Sequence, residues 1–145
     1  EHLSYQGLKI PDVCIEYQLR KFITNRFSIP GDAAVLKQNL TDCYSCLTAE
    51  TAAKLSNEFK ENNPMKTFSD EKRQTVEIES VLKLGGDNYQ IDFFVTYTDK
   101  YYSRKATVRY RGILSIGLLE PAKEDQLLNP LGIYIRNYDF SEIKQ

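Results

Sequence analysis

The chain reads as an α+β domain, with three N-terminal helices packed against a curved four-stranded antiparallel sheet. Up to about Asn63, apolar residues recur at three- and four-residue spacing; from about Thr75 they alternate with polar ones. The period therefore changes once, from helical to extended. A glycine-rich turn links the first two strands and no long helix lies between any two strands, so the sheet reads as a meander with its helices on one face. A sharp break, Asn129-Pro130-Leu131-Gly132, precedes the last aromatic strand.

Pro11-Asp12 opens the first helix, expected to reach about Phe27 with Val13, Tyr17, Phe22, Ile23 and Phe27 as its apolar stripe. Pro30-Gly31 interrupts the chain, and Asp32 can cap a second helix running from about Ala33 to Leu47. Leu36, Leu40, Cys43, Tyr44 and Leu47 would face inward. Thr48 caps a third helix, from Ala49 to about Asn62, which buries Ala52, Leu55 and Phe59. Asn62-Asn63-Pro64 ends it, because the residue before a proline is pushed out of the helical region.

In the first strand Val76, Ile78, Ser80, Leu82 and Leu84 alternate with Thr75, Glu77, Glu79, Val81 and Lys83. Gly85-Gly86-Asp87-Asn88 is a hairpin turn. The second strand puts Tyr89, Ile91, Phe93, Val95 and Tyr97 on one face. The third, Ser103 to Leu119, puts Ala106, Val108, Tyr110, Leu114, Ile116 and Leu118 on one face and Lys105, Thr107, Arg109, Arg111 and Ser115 on the other. It is long for a strand, so Gly112 and Gly117 are expected to mark bends or bulges. Pro130 stops the short helical turn that follows Glu120-Pro121, and Gly132 permits a close approach before the strand Ile133 to Phe140. Phe22, Leu40, Phe93, Tyr110 and Leu114 are the expected core.

At 145 residues the chain fits one domain with a core of useful size. Its 19 basic and 20 acidic residues nearly cancel, so no whole-molecule field favours nucleic acid or an anionic membrane. Ten tyrosines and seven phenylalanines without a tryptophan suit a sheet packed on helices. No segment approaches the roughly 18–20 consecutive apolar residues that cross a bilayer. Cys43 and Cys46 have the spacing of half a metal site, but no second such pair exists and the one histidine is His2. No metal or cofactor is expected, and Cys14, Cys43 and Cys46 read as reduced, mostly buried thiols.

The ordered set of Tyr17, Leu19, Phe22 and Ile23, then Ser28-Ile29-Pro30-Gly31-Asp32, Val35-Leu36-Lys37-Gln38-Asn39, Thr48-Ala49-Glu50-Thr51-Ala52-Ala53 and Asn129-Pro130-Leu131-Gly132-Ile133-Tyr134-Ile135 resembles the TrbF-like proteins. These are bitopic inner-membrane components of conjugative type IV secretion systems, relatives of the VirB scaffold component. The resemblance spans about Asp12 to Phe140 and implies a nuclear-transport-factor-two-like cone. It implies a non-catalytic assembly factor whose periplasmic domain, residues 12–145, follows a tether, residues 1–11, from an upstream membrane helix. It implies weak self-association, a weak dimer, and contacts with other secretion subunits. Asn129, Pro130, Leu131 and Gly132 match the family's Asn-Pro-x-Gly motif and, with Tyr17, are the expected protein-interaction residues. The three cysteines have no counterpart in the pattern.

The rival reading is an enzyme or small-molecule-binding domain, since the same cone also hosts proton-transfer chemistry. That chemistry needs an interior carboxylate or histidine, whereas strand alternation places Glu77, Glu79 and Asp92 on the outer face. Arg104, Lys105, Arg109 and Arg111, interleaved with Tyr101, Tyr102 and Tyr110, have the composition of a nucleic-acid surface. The expectation is instead a solvated sheet face, partly paired with Glu77, Glu79 and Asp92, and no nucleic-acid partner is expected.

Overall fold

The computed structural model describes residues 2–144. Glu1 and Gln145, the outer ends of the expected 1–11 and 12–145 segments, lie outside the described residues. The elements are β1 (His2–Leu3), β2 (Lys9–Ile10), α1 (Asp12–Phe27), α2 (Ala33–Tyr44), α3 (Ala49–Glu61), α4 (Pro64–Ser69), β3 (Lys72–Lys83), β4 (Asn88–Asp99), β5 (Ala106–Leu118) and β6 (Ile133–Glu142). A single 3₁₀ turn, Lys123–Asp125, lies between β5 and β6. Strands β3-β4-β5-β6 form one antiparallel meander, and the helices cover its inner face. The α+β fold is the one read from the sequence.

Local chemistry fixes the helix starts. The Asp32 carboxylate accepts from the Ala34 and Val35 amides, and the Thr48 hydroxyl accepts from Thr51 N. Asn63-Pro64 both stops α3 and begins α4, a helix the sequence reading lacked: the Asn63 side chain accepts from Met65 N and Pro64 occupies the first turn. On α1 the buried stripe is Ile15, Leu19, Phe22 and Ile23, while Val13 and Tyr17 face solvent. Val13-Tyr17 and Ile15-Leu19 are equally regular i, i+4 pairs set about 200° apart around the helix. The bulkier continuation through Phe22 and Ile23 decides between them.

On the sheet, Tyr89, Ile91, Phe93 and Val95 of β4 are buried, with Leu114 and Ile116 of β5 and Ile133, Ile135 and Tyr138 of β6. Leu40 and Tyr110 are only half-buried. Strand β3 holds the expected alternation as far as Ile78. A bulge at Glu79, between Ile78 and Ser80, then reverses it, so Val81 turns inward and Leu82 is 54% exposed. Gly112 and Gly117 prove to be slots rather than bends. A Cβ at Gly112 would stand 2.7 Å from the Phe140 ring, and one at Gly117 would stand 2.5 Å from Arg136 Cδ. The bulge near Gly117 adds its extra residue, Arg136, on β6.

The loops between helices fasten to both edges of the sheet. Ile29 N donates to Gln74 O at 3.0 Å and Gln74 N returns the bond to Ile29 O at 3.1 Å, which covers the β3 edge. At the β6 edge Ile135 N donates to Cys46 O at 2.7 Å, and Thr48 N donates to Ile135 O at 3.3 Å. The segment expected as a tether folds back: β1 pairs with β2, and Ile10 joins the core.

Leu114 is fully buried in the centre of this core. Leu114→Asp places an unpaired charge there and should abolish the cooperative melt, while Leu114→Ala should cost about 2–5 kcal/mol in denaturant unfolding. Native-like melting of Leu114→Asp would contradict the packing.

Cys43 lies in α2 and Cys46 just beyond its end; both are buried, Cys14 is half-buried, and all three are unpaired. Burial pushes the Cys43 thiol up and the Cys46 thiol up to about 12, so neither forms appreciable thiolate at neutral pH. Alkylation of the native protein should therefore modify Cys14 first, with Cys43 and Cys46 reacting only on unfolding. Unreduced, denatured protein should carry three alkyl groups by mass spectrometry; one alkyl group would reveal a bridge.

Candidate interaction surface

The Asn129-Pro130-Leu131-Gly132 segment is a turn locked from the inside. Gly132 N donates to Asn129 O at 3.1 Å, closing a four-residue turn with Pro130 and Leu131 at its apex. Gly132 has φ +65°, and a Cβ there would stand 1.8 Å from the Leu119 carbonyl oxygen. No side chain fits that position.

Asn129 is 2% exposed, and its amide serves three backbone partners. Its Nδ2 donates to Ser45 O at 3.2 Å and to Ile133 O at 3.0 Å, and its Oδ1 accepts from Ile133 N at 3.0 Å. The turn is thereby tied both to its own strand and to the connection between α2 and α3. Upstream, Asn129 N donates to Asp125 O at 2.7 Å. The Tyr134 hydroxyl donates to the Asp125 carboxylate at 3.0 Å and accepts from Ala122 N at 3.2 Å.

This scaffold displays apolar groups. Leu131 is 43% exposed, Leu119 is similar, and Leu127, two residues before Asn129, is 96% exposed. The Tyr5 ring lies over Gly132, so the β1-β2 ribbon borders the same surface. A groove of about 640 Å³, floored by Tyr44, Leu47, Ala52, Leu128 and Tyr134, runs between α2, α3 and the segment before the turn. A groove of about 680 Å³ at the start of α3 is lined chiefly by polar groups, including Glu50, Asp87, Asn88 and Arg136. The apolar surface around the turn is the stronger candidate for protein contact.

Of the expected interaction residues, the structure brings Asn129, Pro130, Leu131 and Gly132 together. Tyr17 stands on the outer side of α1, 65% exposed, and among the described residues no hydrogen bond or ring contact joins it to the turn. The parts that sequence reasoning missed are Leu127, Tyr5 and Ser45. The Leu127-Leu128 pair that follows the polar run Lys123 to Gln126 was a readable signal for Leu127; the carbonyl of Ser45 carries none.

Inside the cone, Tyr97 and Tyr110 pair through their hydroxyls at 2.8 Å, and burial pushes the Tyr97 phenol well up. The Tyr138 hydroxyl donates to Glu58 at 2.9 Å, and Arg26 lies 3.3 Å from the same oxygen, stacked over Phe27 and Phe59. Asp92 is on the outer face, as expected, yet is buried there by Arg111, which grips it at 2.9 and 3.0 Å. The Arg111 hydrogen bonds hold its carboxyl below the usual range. Arg109 pairs with Glu79 at 2.7 Å, so two arginines of the basic stripe are neutralised by neighbouring strands. Among the described residues no group of three His, Cys, Asp or Glu could hold a metal, and no helix is long and apolar enough to cross a membrane.

Asn129→Ala would leave a donor and two acceptors of the backbone unsatisfied in the interior. It should cost about 2–5 kcal/mol by denaturant unfolding, since each orphaned group costs about 1–3 kcal/mol. A loss below about 1 kcal/mol would show that the turn does not depend on this side chain.

The VirB8 protein family profile matches residues 4–142. Over 128 residues the chain is 34% identical to the conjugal transfer protein TrbF of Rhizobium radiobacter, a match covering 85% of this chain and 57% of that one. The chain thus spans just over half the length of that relative. The TrwG component of the Bartonella birtlesii type IV secretion system superposes with a TM-score of 0.83 at 19% identity, over 94% of this chain and 96% of that one. Agrobacterium tumefaciens VirB8 superposes with a TM-score of 0.78 at 15% identity, over 96% and 99%. The shared fold is the nuclear-transport-factor-two-like cone. The chain belongs to the VirB8 family, the TrbF-like components of conjugal transfer and type IV secretion systems.

Proposed function

We propose that this domain is a non-catalytic scaffold in the assembly of a conjugal-transfer channel, acting through protein contacts in the periplasm. On this reading a membrane helix would precede the domain; the chain spans 57% of the TrbF relative's length, which leaves room for one. The observation that carries this reading is the Asn129-Pro130-Leu131-Gly132 turn. Its interior is fully engaged by hydrogen bonds while Pro130 and Leu131 face outward. A preorganised apolar apex loses little entropy on docking, which suits recognition rather than chemistry. The interior tyrosines and Glu58 are engaged with one another, in keeping with a packed core.

The contacts are self-association of the domain and docking of other secretion subunits, with the turn and the outer side of α1 around Tyr17 as the contact surfaces. Self-association is weak for the isolated domain, because anchoring in a shared membrane supplies a high effective concentration.

Leu131→Arg should leave the melting temperature near that of the wild type, since Leu131 is partly exposed, while reducing conjugal transfer by about tenfold or more at equal protein abundance. Wild-type transfer by a stable, normally abundant Leu131→Arg protein would refute the assignment.

A further inference from the structure

Strand β5 has different surfaces at its two ends. At its start, the connection from β4 exposes Tyr101, Tyr102, Arg104 and Lys105. Asp99 organises this tip: its carboxylate accepts from Tyr101 N at 2.9 Å, Ser103 N at 3.0 Å and the Ser103 hydroxyl at 2.5 Å. Lys100 pairs with Glu71 at 3.0 Å. Tyr102 and Arg104 are held at φ 59° and 53°, a region that non-glycine residues seldom occupy. Among the described residues neither Arg104 nor Lys105 has an ion-pair partner. The tip therefore presents two aromatic rings beside two exposed cations that make no close ion pair, with Arg104 in electrostatic reach of Asp99.

At the other end of β5, the connection to β6 has the complementary character. Glu120 and Glu124 are exposed and have no ion-pair partner among the described residues. Asp125 lies beside them, with Lys123 as the cation of the group, and Leu119 and Leu127 supply exposed apolar surface. One end thus offers cations with aromatic rings, and the other offers carboxylates with leucines.

These surfaces cannot meet within one molecule. The 13 residues of β5 hold them apart by roughly 40 Å, at about 3.3 Å per residue. We propose that a second copy of this chain docks its β5-β6 connection onto the β4-β5 tip, head to tail. Arg104 and Lys105 then meet the neighbour's Glu120 and Glu124, and Tyr101 and Tyr102 cover its Leu127. Because the two patches differ, the contact is heterologous: each copy keeps a free tip and a free acidic end, and the association can propagate. This deepens the self-association proposed above; it uses Leu127 beside the turn but not the turn apex at Leu131.

Sedimentation of the domain near the millimolar effective concentration of a tethered protein is the test. Wild-type association should weaken as salt rises from about 50 to about 500 mM, because the interacting charges are exposed. Reversing one end, by Arg104→Glu with Lys105→Glu or by Glu120→Lys with Glu124→Lys, should weaken it about tenfold or more. Mixing these two variants, or combining all four substitutions in one chain, should restore it. The three variant chains should melt as the wild type does, since the substituted residues are exposed surface groups, and folding is checked alongside. Failure of both restorations overturns the proposal. It also fails if the wild type stays monomeric while a glutamate-rich peptide or an oligodeoxynucleotide binds the tip. Salt-independent association that Leu131→Arg removes and charge reversal does not belongs to the turn contact alone, so the two readings fail separately.

Discussion

An open four-stranded sheet has two edges, and each is a row of unpaired backbone groups that must be satisfied or covered. Here both are met by the loops of the helical layer. The connection from α1 to α2 exchanges two hydrogen bonds with β3 at Gln74, and the connection from α2 to α3 brackets Ile135 on β6. The helices are therefore held by main-chain contacts at both margins as well as by the apolar face beneath them. Curvature follows from the bulges at Glu79 and Arg136, which let a short sheet wrap around its helices.

The apolar turn depends on the second of these attachments. Ser45, whose carbonyl receives the Asn129 amide, is the neighbour of Cys46, whose carbonyl receives Ile135 N. The turn, the last strand and the end of α2 thus form one hydrogen-bonded unit. Gly132 packs against the Leu119 carbonyl on the far side of that unit, so the apex has little freedom to shift. Rigidity at Leu131 is then a product of the same bonds that cover the sheet edge.

Much of this was legible in the sequence because local chemistry and tertiary demand agree. Asp32, Thr48 and Pro64 mark helix ends by mechanisms that need no distant partner. The inner face of strand β4 was readable because the strand is central and that face is buried from Tyr89 to Val95. The failures came where two phases were equally regular. Val13 and Tyr17 imitate a core stripe that α1 does not use, and Leu82 continues an alternation that the Glu79 bulge has already reversed. The Asn-Pro-Leu-Gly turn was visible as backbone punctuation, through Pro130 and Gly132. The role of Asn129 was not, because its partners are carbonyl and amide groups that any residue could supply. Tyr5 and the β1-β2 ribbon were hidden for a related reason: two-residue strands are too short to give a periodic signal before the ribbon folds against Gly132.

The attachments at Gln74 and Ile135 are formed by peptide groups, and peptide groups are the same in every residue except proline. Apart from the Gln74 side-chain amide, which donates to Phe27 O at 2.7 Å, side chains at these positions are free to drift as long as their bulk suits the core, and the main-chain seam persists. Architecture and sequence can then separate over evolutionary time. A superposition with TM-score 0.83 at 19% identity is the kind of divergence such a seam tolerates. The surfaces that ride on it are left open to respecialise for different partners.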